Sequence, residues 1–335
     1  MILLPGRPAG RSRASSQSRL STAVVAVVVT AVSTGGGCGG SGQTAKSIGI
    51  DGSSTVAPLT EAAADLFREH NPGIQITVGT SGTGGGFEKF CRGETDISDA
   101  SRSITQAERE ACTRAGIDYV DFQVANDAVT VIVNKENAWA TCLTAAQLRR
   151  IWDVRSPIEN WNQVDPKFPD EPLLLFGPGT DSGTFDYFTS AINGKGGRSR
   201  TDYQASEDDN VIIAGVEGSR GGLGYIGYGY FEENTDRLRA LAVDDGDGCV
   251  APSVGSVQDG SYRPLARPLF IYVKRTSLAR PALVDFVDYY VENSTAIARQ
   301  ALFIPLTSAQ VAVNQKALAD VVASGRPSTP APGRS

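Results

Sequence analysis

Three runs of small and hydroxylated residues carry the chemistry of this sequence. They are Ser53-Ser54-Thr55 in "DGSSTVAPLTEAAADLF", Ser81 in "GTSGTGGGFEKF", and Ser182-Gly183-Thr184 in "GPGTDSGTF". Each leads into a helical pattern. A helix start carries unpaired N–H groups and the positive end of the helix dipole. Small residues let an anion approach that backbone, and Ser and Thr hydroxyls add donors. Taken singly, each run also reads as an ordinary helix cap. Three of them converging on one point would make an oxyanion site from neutral donors.

A fourth stretch, "GETDISDASRSI", places Arg102 beside Asp99 and Ser101. A guanidinium grips an oxyanion with two parallel hydrogen bonds. The plainer reading is a surface ion pair between Arg102 and Asp99. Other chemistries find little support. His70 is the only histidine, in "REHNPG", a helix stop where an exposed residue is expected. One histidine cannot build the cluster a metal phosphatase needs. No GxSxG elbow marks a serine hydrolase. "GLGYIG" at 222–227 is formally GxGxxG, but it follows no clear strand and runs into "YGYF" rather than an evident helix. "NGKGGRS" has Gly196 after Lys195 where a P-loop needs Ser or Thr, so it reads as a surface loop. The expectation is a binding protein with no catalysis, no cofactor and no metal.

Strands alternating with helices must position these loops. "SIGIDG" reads as a strand running into a helix that "HNPG" ends, and "IQITVGT" as the next strand. "AVTVIVN" and "EPLLLFGPGT" follow as strands, "VDFVDYYVEN" and "AQVAVNQKALADVVA" as late helices. This order predicts an α/β fold with largely parallel sheets. Ligands then sit outside the carboxyl ends of the strands, where the three hydroxyl loops lie.

The chain has 335 residues, 41% of them hydrophobic, and a formal net charge of −6. That length holds two domains. The acidic balance argues against nucleic acid as a partner. Arg7, Arg11, Arg13 and Arg19 precede the apolar run 23–32, which is too short to span a membrane, and small residues lead to Cys38. That is the order of an export signal over residues 1–37. Its removal takes away four arginines and no acid, leaving a charge near −10. "STGGGCGG" looks like a lipoprotein processing site with Cys38 lipidated, although Gly35 stands where a Leu-like residue is usual. Residues 38–47 read as a flexible tether and 323–335 as a disordered tail. Export implies an oxidising compartment. Four further cysteines fit two disulfides, of which Cys91–Cys112 and Cys142–Cys249 are the favoured pairing among three.

Together the three hydroxyl runs, "ETDISDASRSI", "GGLGYIGYGYF" and "RPLFIYVKR" resemble the phosphate-binding lipoproteins of ABC phosphate importers, over residues 48–320. The resemblance implies a two-lobed periplasmic-binding-protein fold of type II. Residues 48–127 and 266–322 would form lobe I, and 128–265 lobe II. It implies inorganic phosphate clamped in the cleft and passed to permease subunits, by a monomer held at the outer face of the cytoplasmic membrane or in the periplasm. The residues matching the family's ligands are Ser53, Ser54, Thr55, Ser81, Ser182, Gly183 and Thr184. Some members carry an arginine just before Ser-Gly-Thr; here Pro178 and Gly179 stand there, so Arg102 is expected to supply the guanidinium. An ionised Asp would accept from the P–OH of phosphate and repel sulfate. Asp99 is the first candidate, with Asp127 and Asp181 as alternatives. Sulfate or molybdate as ligand, a secreted phosphatase, and a sensor or surface antigen that feeds no transporter are the competing readings.

Overall fold

The computed structural model describes residues 46–325. The export segment, Cys38 and most of the expected tether and tail lie outside the described residues. β1 (Ser47–Gly52) buries Ile48 and Ile50 and feeds α1 (Ala57–His70). Pro58 sits where a missing N–H costs nothing. Leu59, Ala63, Ala64 and Phe67 share the buried face of α1, and Asn71-Pro72 ends it, with His70 exposed. β2 (Gln75–Gly79) lies parallel to β1 and feeds α2 (Gly82–Cys91). β3 (Ile97–Ala100) lies parallel on the other side of β1, and α3 (Gln106–Arg114) follows behind a Thr105–Glu108 capping box.

β4 (Tyr119–Asn134) is 16 residues long, enough to serve two cores. Its first part pairs antiparallel with β12 (Ala266–Lys274), and its second with β8 (Gly222–Gly227). Between β4 and β8 come β5 (Cys142–Thr144), α4 (Ala145–Trp152), α5 (Trp161–Val164), β6 (Leu174–Pro178), α6 (Gly183–Asn193), β7 (Gln204–Ser206) and α7 (Asp209–Glu217). After β8 come α8 (Tyr228–Glu232), β9 (Leu238–Ala240), β10 (Ala242–Asp244), β11 (Cys249–Val250) and α9 (Val254–Gln258). The chain closes with α10 (Pro281–Glu292), α11 (Ser294–Gln300) and α12 (Ser308–Gly325), so α12 takes the first residues expected of the tail.

The main sheet runs β2-β1-β3-β12-β4-β8-β6-β7, with β9 on β4. Its outer groups, β2-β1-β3 and β8-β6-β7, are parallel, as expected of each lobe. Its centre is antiparallel, because β12 and β4 pass between the lobes in opposite directions. One core gathers Ile50, Phe67, Phe122, Phe286 and Tyr290. The other gathers Trp152, Trp161, Phe188 and Tyr225, the last two stacked with centroids 3.8 Å apart. A third crossing is the bridge between Asn126 and Ile304.

Both favoured disulfides form. Cys91–Cys112 pins α2 to α3, and Cys142–Cys249 ties the two edges of a small sheet ordered β11-β10-β5. The "GLGYIG" glycines lie inside β8, and a short helix, α8, does follow them. They serve packing: a Cβ on Gly224 would stand 2.9 Å from the Phe176 carbonyl oxygen.

Candidate functional site

The carboxyl ends of β1, β2, β3 and β6 face one cavity of about 440 Å³. Ser53, Ser54 and Thr55 line it from the β1–α1 turn, Gly82 and Thr83 from the start of α2, and Ser101 and Arg102 from beyond β3. Gly183 lines it from the start of α6, with Asp186, Tyr187 and Ser190 further along that helix. Gly196 and Arg267 complete the wall. Three helix starts therefore converge.

Two of the three have no side-chain cap of their own. Val56, at the cap of α1, offers no side-chain acceptor. Ser81, at the cap of α2, does not cap it; its hydroxyl donates to Asp51 instead. Neither helix has an acid in its first turn. In α1 the Val56 and Ala57 N–H groups already donate to the Ser53 carbonyl, and those of Leu59 and Thr60 to the Val56 carbonyl. Ser81 N donates to Asp51. The N–H groups left for an anion are therefore those of Ser54 and Thr55 before α1 and of Gly82 and Thr83 at the start of α2. α6 differs: Ser182 accepts from Thr184 N at 3.1 Å and caps its own helix.

The starts of α1 and α6 nearly touch. A Cβ on Gly183 would stand 2.3 Å from Thr55 Oγ1 and 3.0 Å from Thr55 N. Only glycine permits this approach. Gly52, at φ +150°, does the same for β1, since a Cβ there would stand 2.1 Å from the Asp99 carbonyl oxygen. That carbonyl accepts from Ser53 N at 2.9 Å and so sets the first hydroxyl run.

Arg267, on β12, is the inner cation of the site, its side chain 11% exposed. Its Nε donates to Asp127 Oδ2 at 3.0 Å, and its Nη2 to Thr55 Oγ1 at 2.8 Å. The guanidinium lies 3.8 Å from the centre of the Tyr187 ring, a cation–π contact. It thus touches the α1 start and α6 while resting on a crossing strand. Arg102 is the outer cation. It lines the cavity half-exposed and pairs with Glu108, not Asp99, at 2.7 and 2.8 Å.

The structure does not bring every expected residue to the cavity wall. Ser53, Ser54, Thr55, Arg102 and Gly183 line it. Ser81 is turned to Asp51. Ser182 and Thr184 line a second chamber of about 220 Å³, which shares Ser54, Thr55 and Gly183 with the first and includes Asp127. Asp181 is exposed and lines neither. Asp99 is fully buried within β3, and among the described residues neither carboxylate oxygen has a partner in good hydrogen-bond geometry, although the nearby Thr60 hydroxyl favours its charged form. Burial pushes its carboxyl up to about 8, and the carboxylates of Asp51 and Glu61 add to the rise.

Asp99 is therefore a proton-bearing core residue, and its contribution to stability has a defined sign. Between pH 4 and about 8 the unfolded chain releases this proton and the folded chain keeps it. Stability from this group falls as pH rises through that window, by up to about 1.4 kcal/mol per pH unit. Asp99→Asn should leave oxyanion binding in place, and the melting-temperature gap between variant and wild type should widen in the variant's favour from pH 5 to pH 8. A constant gap would show that Asp99 is ionised in the fold.

The cavity's one carboxylate among the described lining residues is Asp186, in the first turn of α6. Burial raises its carboxyl, against the pull of Arg267. Arg267, Asp186, Thr83, Tyr187 and Ser190 are side chains of the wall that sequence reading missed. Arg267 had one signal: a charge inside the apolar strand "ARPLFIYVK", where a lone cation is buried only with a partner.

Comparison with known proteins agrees with this geometry. Residues 39–294 match a family model described as a PBP superfamily domain. A protein named SphX from Synechocystis is 48% identical over 267 residues, covering 79% of this chain and 80% of that protein. The phosphate-binding protein PstS of Staphylococcus saprophyticus is 36% identical over 305 residues, covering 90% of this chain and 93% of its own. The crystal structure of a possible phosphate binding protein from Planctomyces limnophilus superposes with a TM-score of 0.78 at 44% identity, covering 82% of this chain and 98% of that one.

Proposed function

The chain belongs to the PBP superfamily and to its phosphate-binding branch, and from that premise we propose that the cavity clamps inorganic phosphate between the two lobes. The protein acts outside the cytoplasmic membrane and delivers phosphate to an ABC permease. The observation that carries the reading is the convergence of three helix starts and two guanidinium groups on one cavity. Neutral N–H and hydroxyl donors surround the anion, and Arg102 and Arg267 balance its charge. Closing the lobes removes water, where these donors count for more. The protein is a carrier rather than an enzyme. In this reading it works as a monomer, tethered through a lipid on Cys38, and an acidic carrier of this kind engages no nucleic acid.

Asp186 accounts for selectivity. Near neutral pH phosphate keeps a P–OH, which an ionised carboxylate can accept; sulfate offers only lone pairs. The placement of Asp186 on the cavity wall supports this role, and Asp99, away from that wall, does not fill it. Isothermal titration of the ligand-stripped protein tests both parts. Wild type should take one phosphate and bind sulfate at least about a hundredfold more weakly, the size of two lost charge-assisted hydrogen bonds. Asp186→Asn should narrow that gap by about tenfold, one such contact. Tighter binding of sulfate or molybdate by wild type would overturn the ligand. An unchanged gap in the variant would remove Asp186 from the selectivity.

A further inference from the structure

The loop 194–198, "GKGGR", stands at the lip of the cavity. Gly196 is part of the cavity wall, and its neighbour Lys195 is exposed. The loop is held rather than loose. Arg198 N donates to the Lys195 carbonyl at 3.1 Å, closing a turn, and Gly197 N donates to Thr189 Oγ1 at 2.9 Å. Arg198 is committed to Asp153, at 2.8 and 3.2 Å. Lys195 makes no ion pair with a carboxylate among the described residues. Its charge is left for whatever enters.

This matters because of what the loop faces. Asp186 Oδ1 lies 4.0 Å from where a Cβ on Gly196 would stand. An incoming anion therefore meets a carboxylate at the same lip, on a protein whose net charge is −6. Repulsion of that kind slows encounter unless a cation offsets it locally. Lys195 is one residue from the wall, well inside the Debye length of about 10 Å at 0.1 M salt.

We propose that Lys195 is a capture residue: its ammonium, presented by the anchored loop 194–198 beside Asp186, speeds the entry of phosphate into the cavity. This rests on the phosphate reading above. Lys195 acts on the approach of the anion and not on the closed complex, where the helix starts, Arg102 and Arg267 do the holding. Its signature is a salt-dependent association rate with an unchanged dissociation rate.

Stopped-flow association of inorganic phosphate with the full chain carries the test, at 20 mM and 500 mM salt. Lys195→Gln should slow association about threefold to tenfold at low salt, the scale of one surface charge acting on a multiply charged ion. At high salt the difference should shrink to less than about twofold. Lys195→Arg should restore the rate, and Lys167→Gln, an exposed lysine that lines none of these cavities, should leave it unchanged. An unchanged association rate in Lys195→Gln, a loss that salt does not diminish, or a faster dissociation would each overturn the proposal. Wild-type binding, titrated first, separates this failure from that of the phosphate reading. If wild type takes up no oxyanion, both fall.

Discussion

Replacing Gly183 with alanine should weaken phosphate binding by about a hundredfold or more, while the melting temperature moves by only a few degrees. Alanine suits the first turn of a helix, so α6 itself is not at risk. The cost lies across the cleft. The new Cβ would stand 2.3 Å from Thr55 Oγ1, 3.0 Å from Thr55 N and 3.1 Å from Ser54 Oγ. The first of these is closer than real side chains come; turning that hydroxyl away breaks its hydrogen bond to Arg267, and the Thr55 backbone N cannot turn away at all. The starts of α1 and α6 must separate, and donors aimed at one anion then miss it. Two lost hydrogen bonds to a charged ligand, at about 1.5 kcal/mol each, give the stated factor. Isothermal titration beside a thermal melt reads both quantities. Affinity within threefold of wild type would mean that the two helix starts do not hold the ligand together.

Arg267→Met should damage both stability and binding, and the two effects can be parted. The Asp127 side chain is 8% exposed, and Arg267 is its ion-pair partner. Removing that partner leaves a buried carboxylate uncompensated, a loss of about 3–5 kcal/mol. For a chain of this size that lowers the melting temperature by on the order of 10 °C. Phosphate affinity should fall about a hundredfold or more, since the inner cation of the site is gone. Adding Asp127→Asn removes the stranded charge. The double variant should recover most of the melting temperature and none of the affinity. If it binds phosphate as wild type does, Arg267 holds the strands and not the anion.

The contrast between Arg102 and Arg267 shows what sequence could reveal. Arg102 stands within a short loop beside small polar residues, so its proximity to a helix start is legible locally. Arg267 meets Thr55 across a separation of 212 residues, through the placing of β12 between β3 and β4. Nothing local encodes that adjacency. The same limit misplaced Asp99. It precedes Arg102 by three residues and seemed to share its surroundings, but the strand continues through Asp99 and ends at Ala100. The chain turns out only afterwards, leaving one side chain in the core and the other at the cavity. The three helix starts were legible because a strand, a run of small hydroxyl residues and an apolar helical period are all local signals. Ser81 shows the remaining gap: its hydroxyl had a competing partner in Asp51, 30 residues away.

The position of β12 also predicts an order of assembly. The second core draws on residues 128–265 almost alone, so its contacts can form once that stretch is free. The first core cannot. Its sheet lacks a strand between β3 and β4 until residue 274 arrives, and Phe286, Tyr290 and Leu318 come later still. Contacts of such long separation form last, because their loops must close before anything rewards the closure. The second core is thus expected to form first and the first core to complete itself against it. Ser54, Gly183 and Arg267 come from the beginning, middle and end of the chain, so the cavity is complete only once β12 is in place. A chain cut short before β12 would keep one core and have no site at all.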